Sequence, residues 1–525
     1  MTPRSRRPAL LALACGALLA ALTVGPTASA HTAAPAQRAA TPTAGGNLTI
    51  ARVTDSFTMD NTSAFDNESI WVFQQLMETL YTVTPNGKSV KPWLATSYDL
   101  SKNKLTYTFH LRKGVKFHTG QEMTADDVKF SIDQARNPKT GWGYIDTAIK
   151  SVSVKDKYTV VITTKYPWAP LVADIALFNN AVVPKNYGGK TKKAFYTAPV
   201  GTGPFKWDHW THGKEIKYVK FSDYWQKGKP YLDSVTWTYV PDDNTRLLQL
   251  KGGQAQIDEF PAWSQIKPLK STSGVTMTLF PSTRTDYMIF NQHIKPFQDV
   301  HVRRALSYLM DRKALIKAML FGNGTVANSF LPPQVPYYDA KTQGLQYSVA
   351  KAKAELAKSS VPKGFTATFE ITSGVLEQQT MAQVLQAAAK PLGITINILK
   401  KDGNAWQADW QSAKYPGIDP SYWTMDIADP DELVSFAVDP TQGAHSFQTY
   451  YNNPVVAKAA QAAAREFDPK KRQVLYSKIQ SIAAQDAFMA FLYYSPFRYA
   501  YSSKVQGFQV YPTGNYHMED VWLQK

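Results

Sequence analysis

The chain has 525 residues, too many for one hydrophobic core, because cores stop growing beyond about 250–300 residues and chains then divide. Hydrophobic residues make up 44% and charged residues 19%, which excludes a disordered or fibrous chain and leaves a globular protein of two or three domains. Formal net charge is +17, but the lysines are spread along the whole chain with no Arg-rich arm and no zinc or RNA-binding signature. That argues against a nucleic-acid partner and leaves solubility or contact with an anionic envelope.

Residues 1–8 are short and basic, residues 9–24 are apolar, and Ala28-Ser29-Ala30 supplies an A-x-A cleavage site before His31. This order is that of a secretory signal peptide; the apolar run is shorter than the roughly 20 residues a spanning helix needs. An exported protein in the periplasmic or extracellular space is expected. Ser5-Arg6-Arg7 with Leu10 behind it partly resembles a twin-arginine signal, and ordinary signals carry paired arginines too. Cys15, the single cysteine, lies inside this segment. Lipid attachment there would leave an apolar N-terminus, so a free protein is favoured. Once cleaved, the chain has no cysteine for a disulfide, a thiolate metal site or thiol catalysis, and keeps 55 Lys and Arg against 41 Asp and Glu. Residues 31–46, rich in Ala, Thr and Pro, read as a flexible leader.

Strands and helices then alternate irregularly. Leu105, Tyr107, Phe109 and Leu111 alternate with polar residues, a half-buried strand. Thr124-Ala125-Asp126-Asp127 is a capping box, with Val128, Ile132 and Ala135 on one helical face. Residues 159–164, 214–221 and 234–240 read as strands, and 245–251 as a helix stopped by Gly252-Gly253. Gly114 and Gly120 are expected to make turns around a strand at 115–118. Gly201 and Gly203 are expected to permit a bend between lobes. Farther on, Val302, Ala305, Leu306 and Leu309 mark a helix, Asp311 caps the next, and 349–358 and 381–392 are amphipathic. Residues 453–466 are helical, Asp468-Pro469 opens another helix, and strand returns after Pro496. No βαβ rhythm repeats, so the fold class is mixed α/β, of the α+β kind. The aromatic share, 13%, suits several cores or an aromatic-lined cleft.

Four ordered stretches carry a resemblance: LTYTFHLRKGVKFHTGQEMTADDVKFSIDQAR (105–136); GTGPFKW (201–207) with YWQKGKPYLDSVTW (224–237); PFQDVHVRRALSYLMDRKALI (296–316); and FDPKKRQVLYSKIQSIAAQDAFMAFLYY (467–494). They resemble family 5 of the bacterial extracellular solute-binding proteins, the peptide/nickel-type receptors of ABC importers. The resemblance implies a two-lobed periplasmic-binding-protein-like clamp, monomeric, that closes on a peptide or peptide-like solute and delivers it to membrane permease subunits. It implies lobe I from residues 47–82, 195–280 and 488–525, an accessory domain at 83–194 inserted in it, and lobe II at 281–487. No cofactor is expected.

Tyr422-Trp423-Thr424-Met425-Asp426 looks like the peptide-binding branch's segment, in which an aspartate three residues after a tryptophan takes the ligand's α-ammonium. The resemblance gives that role to Asp426, with Trp423 and Tyr422 stacking on the ligand; as core aromatics these two would look the same. A buried carboxylate facing an ammonium makes a strong charge-assisted pair. Asp429 and Asp431 read as turn or capping residues around Pro430. Dipeptide-binding relatives hold the ligand's carboxylate with an arginine before the 381–392 helix, and FEITSGVLEQQT (369–380) has no Arg or Lys. A longer peptide or another amine-bearing solute is therefore expected rather than strict dipeptide capture.

His209 and His212 stand three apart in sequence that reads as strand, without an evident third ligand, so no metal site is expected; His110 and His118 read as structural. There is no G-x-S-x-G, H-E-x-x-H or P-loop, so the chain reads as a receptor rather than an enzyme. Carboxylate pairs leave a secreted hydrolase of peptides or glycans open, as they do a clamp-fold surface or signalling protein without an importer.

Overall fold

The computed structural model describes residues 41–137, 141–442 and 449–525. The signal segment, its cleavage after Ala30, and Cys15 lie outside the described residues. The Thr43 hydroxyl donates to Leu523 O at 2.9 Å and the Gly45 N–H to Tyr231 O at 2.8 Å. Residues 43–46, expected in a flexible leader, are thus tied to two distant segments.

Three sheets organise the described residues. Sheet I has seven strands in the order Val275–Phe280, Phe497–Ser502, Ile257–Glu259, Asn47–Arg52, Ser234–Tyr239, Glu215–Lys220, Phe205–Thr211. Asn47–Arg52 runs parallel to both neighbours and the remaining pairs are antiparallel. Sheet II has six strands in the order Thr325–Val326, Met489–Tyr494, Arg284–Phe290, Gly417–Thr424, Thr366–Thr372, Thr395–Lys401. Every residue of Met489–Tyr494 is buried, as a strand covered on both faces requires. Sheet III is antiparallel: Ala95–Leu100, Thr106–Leu111, Thr159–Thr164, Ile149–Asp156. Tyr107, Phe109 and Leu111 point into its core, as their alternation foretells.

The chain passes between sheets I and II twice, at residues 281–283 and 495–496. The crossings lie side by side. The Ser282 hydroxyl donates to Ser495 O, the Ser495 hydroxyl donates to Asp286 Oδ2 at 2.7 Å, and the Thr283 hydroxyl reaches Met425 O at 2.7 Å. The border expected at 487/488 precedes strand Met489–Tyr494, which belongs to sheet II.

Local signals reappear as elements, with three differences. The Thr124–Asp127 capping box opens helix Ala125–Ala135, Asp311 accepts from the Ala314 N–H, and Asp468 caps Pro469–Asp486 with Pro at the first turn. Residues 115–118 form no strand: Lys116 makes an isolated bridge to Glu122 inside a turn-rich loop. The helix expected at 381–392 begins at Leu376 and ends in a 3₁₀ turn, Lys390–Leu392. Gly201 and Gly203 serve close approach rather than a bend between lobes. A Cβ on Gly201 would stand 2.1 Å from Leu76 O, and one on Gly203 2.5 Å from Gln75 O.

Candidate ligand-binding site

Strand Gly417–Thr424 pairs antiparallel with Arg284–Phe290, setting Thr424 opposite Arg284, Trp423 opposite Thr285 and Tyr422 opposite Asp286. Side chains alternate between faces, so neighbours on this strand have opposite fates. Tyr422 is 42% exposed and lies under the Arg284 guanidinium, whose carbon is 3.8 Å from the ring centroid. Trp423 is buried, stacks on Phe436 at 4.8 Å and meets Trp142 at 5.8 Å. Trp142 and Tyr144 come from the loop between helix Ala125–Ala135 and sheet III, so Trp423 helps close a seam between sheet II and the rest of the chain. Asn67 Nδ2 touches Thr424 Oγ1 across the same seam at 3.5 Å.

Glu432 joins the next turn together. It sits in the first turn of helix Asp431–Ala437, fully buried. Its Oε1 accepts from the Trp423 indole at 2.9 Å; its Oε2 accepts from the backbone N–H of Asp426 at 2.8 Å and of Ile427 at 3.1 Å. The Tyr144 hydroxyl donates to Glu432 O at 3.3 Å. Three donors on one carboxylate fix the loop on which Asp426 stands.

Asp426 itself is 8% exposed, and no donor among the described residues reaches its carboxylate. It lines a cavity of about 40 Å³ with Gln74, Glu78, Phe178, Asn515 and His517. Burial pushes the Asp426 carboxyl well above the usual carboxylate range and Glu432 adds to the shift; burial likewise raises Glu432, to about 7. Across the cavity Glu78 is also raised, to about 7, by burial, although it accepts from Trp93, Thr202 and Tyr224 at 2.7 Å each. His517 pairs with Glu519 at 2.8 Å, while its Nε2 and Gln74 Oε1 are buried without a protein partner. Burial of a bare carboxylate is costly, and a bound cation reverses that cost.

The other aspartates have protein partners. Asp429 accepts from the Asp431 N–H at 3.0 Å and holds Arg472 with both oxygens, at 2.7 and 2.9 Å. Asp431 accepts from Ser435 at 2.9 Å with one oxygen; the other is orphaned, as is one oxygen of Asp174, which faces it across the seam. Burial, reinforced by Asp429, lifts Asp431 to about 8. His209 lies in strand Phe205–Thr211 between Asp208 and Glu215, and His212 packs against Trp210. His118 accepts from the Gly201 N–H and touches Gly203 O, and burial holds its pKa near 4. His110 pairs with Asp99 on an exposed edge.

The structure thus brings Trp423 and Asp426 together through Glu432 and turns Tyr422 away. Sequence reading missed Glu432, Tyr144 and Trp142. Glu432 left one signal, an acid in the first turn after Pro430, where free N–H groups attract it.

The family model for "Bacterial extracellular solute-binding proteins, family 5 Middle" matches residues 89–445. The chain belongs to family 5 of the bacterial extracellular solute-binding proteins. The glutathione-binding protein GsiB of Salmonella choleraesuis is 31% identical over 480 residues, covering 89% of this chain and 92% of that one. The dipeptide-binding protein of Escherichia coli K12 is 27% identical over 494 residues, covering 88% and 91%. Among solved structures, the periplasmic binding protein DppA of Helicobacter pylori with peptide STSA superposes with TM-score 0.84 at 27% identity, covering 92% of this chain and 99% of that one. The oligopeptide-binding protein AppA of Bacillus subtilis with a nonapeptide gives TM-score 0.81 at 26% identity, covering 92% and 100%. The chain is a two-lobed, extracytoplasmic solute-binding protein of the ABC-importer type. These relatives are binding proteins rather than enzymes.

Proposed function

We propose that this solute-binding protein captures peptides, or peptide-like solutes with a free α-ammonium, and hands them to ABC permease subunits as a monomer. One observation carries the reading: Asp426, buried and without a protein donor, stands on a loop that Glu432 clamps at the lobe seam. Glutathione, dipeptides, STSA and a nonapeptide, the ligands named for the four relatives above, differ in length and share the α-ammonium. A carboxylate on a rigid loop is what that shared group needs. Trp423 serves as the wall behind Asp426, and Tyr422 acts through Arg284. The lobes divide as residues 47–82, 195–280 and 497–525 against 284–494, with 83–194 inserted in the first. Export proceeds by cleavage after Ala30.

Titration calorimetry with glutathione and with alanine peptides of two to five residues tests this. At least one should bind, its N-acetylated form should lose about a hundredfold or more in affinity, and Asp426→Asn should abolish the difference. Equal binding of free and acetylated forms, or an unchanged Asp426→Asn, overturns the ammonium role.

A further inference from the structure

We propose that Arg498 and Arg284, one on each lobe beside the two crossings, form a carboxylate-binding clasp for the far end of the ligand. This rests on the reading of Asp426 as the ammonium site and adds the second charge the ligand must carry.

Arg498 lies in strand Phe497–Ser502 of sheet I, three residues after Ser495; Arg284 opens strand Arg284–Phe290 of sheet II, two after Ser282. The Ser282 and Ser495 contact holds these crossings together, so both side chains issue from one hinge. Arg498 forms no ion pair among the described residues. Its Nε donates to Pro261 O at 2.6 Å, its guanidinium lies 4.2 Å from the Trp263 ring centroid, and both Nη groups lack a protein acceptor. Arg284 gives Nε and Nη2 to Asp286 and rests on Tyr422, with Nη1 uncommitted. Burial holds Arg498 near 10 and Arg284 adds to the fall, whereas Asp286 outweighs burial at Arg284 and keeps it above its ordinary value. Glu377, at the start of helix Leu376–Ala389, is the acid that acts most on Arg498 and forms no ion pair with it among the described residues. Tyr422 and Leu376, 42% and 72% exposed, leave the region open to solvent.

A guanidinium resting against an aromatic ring, with both Nη groups without an acceptor among the described residues, is suited to a carboxylate. Arg498 has no anion among the described residues to offset its burial, and a carboxylate bound beside it and Arg284 supplies one. The basic residue absent from 369–380 is thereby supplied from the hinge strands. Arg284 stands opposite Thr424, two residues before Asp426, so the ligand's charges are a few residues apart at most.

The test compares alanine peptides of two to five residues, each as free acid and as C-terminal amide, by calorimetry against wild type, Arg498→Gln, Arg498→Lys and Glu377→Gln. The best-binding length should favour the acid by about tenfold or more in wild type. The preference should vanish in Arg498→Gln and shrink in Arg498→Lys, with unchanged melting temperatures showing intact folds; Glu377→Gln should keep it. Equal binding of acid and amide, with dependence on Asp426 retained, overturns the clasp and leaves the ammonium reading standing. Loss of the preference in Glu377→Gln makes Arg498–Glu377 a closing latch and also overturns it. If no peptide binds, both readings fall.

Discussion

A carboxylate taken from water must be repaid by donors or by a cation, and the seam holds examples of both outcomes. Asp429 meets Arg472 through two bonds with both side chains nearly buried, and Arg472 also reaches Ala463 O and lies over Tyr337 and Tyr476. Arg472→Met leaves Asp429 buried without its cation, so stability should fall by about 3–5 kcal/mol, read as a lowered denaturation midpoint. Adding Asp429→Asn should recover a large part; no drop in the single variant would show that the pair is solvated in solution. Glu432 is repaid by three donors from Trp423, Asp426 and Ile427. Glu432→Gln keeps the shape but forces an amide N–H against at least one of those donors, so ligand affinity should fall about tenfold while the fold survives. An unchanged affinity would mean that the loop needs no clamp. Asp426 alone among these has no donor among the described residues, which is why the ligand role is proposed for it rather than for its neighbours.

Elements were legible wherever the deciding physics is local. A capping box, a Pro at the first helical turn and strict alternation each involve a few consecutive residues, and Thr124, Asp468 and the strand at Tyr107 appear as read. The strand expected at 115–118 failed because strand pairing is not local: the segment has the right residues, but its partner is a single bridge. The site was half legible. The register Trp423 to Asp426 could be read, while Tyr144 and Trp142 enter from a segment hundreds of residues away, and Arg498 from one about 70 residues away, with no mark in their own surroundings. Gly201 shows the same limit. A glycine after a loop suggests torsional freedom, yet here it yields space to Leu76 O. Gly201→Ala should therefore cost more than the roughly 1 kcal/mol of an ordinary glycine replacement, because backbone must move. Thermal unfolding checks this: a melting temperature within error of wild type would show that the segment can shift freely.

At the scale of the whole molecule, acids from both sides meet in one buried seam. Asp174 faces Asp431, Asp426 and Glu432 lie beside them, and Tyr144 sits among all four. Arg472 is the cation facing this group and is already committed to Asp429. In an open clamp these carboxyls return to water and their ordinary values near 4. Buried in the seam, Glu432 rises to about 7 and Asp431 to about 8. A group whose pKa is raised in one state favours that state fully below its ordinary pKa and loses the advantage as pH rises through the raised value. The ligand-free clamp should therefore be more closed at pH 5.5 than at pH 8.5, with the change falling between about pH 4 and 8. Small-angle X-ray scattering should record a smaller radius of gyration at the lower pH, and the double variant Asp174→Asn/Asp431→Asn should flatten the dependence. A bound ammonium acts in the opposite sense, since it draws Asp426 into its ionised form and expels a proton. Binding of an α-amine ligand should thus release a proton, visible as a dependence of the binding heat on the buffer's ionisation enthalpy. A radius of gyration independent of pH and a binding heat independent of the buffer would show that solvent enters the seam and that the acids titrate as exposed groups.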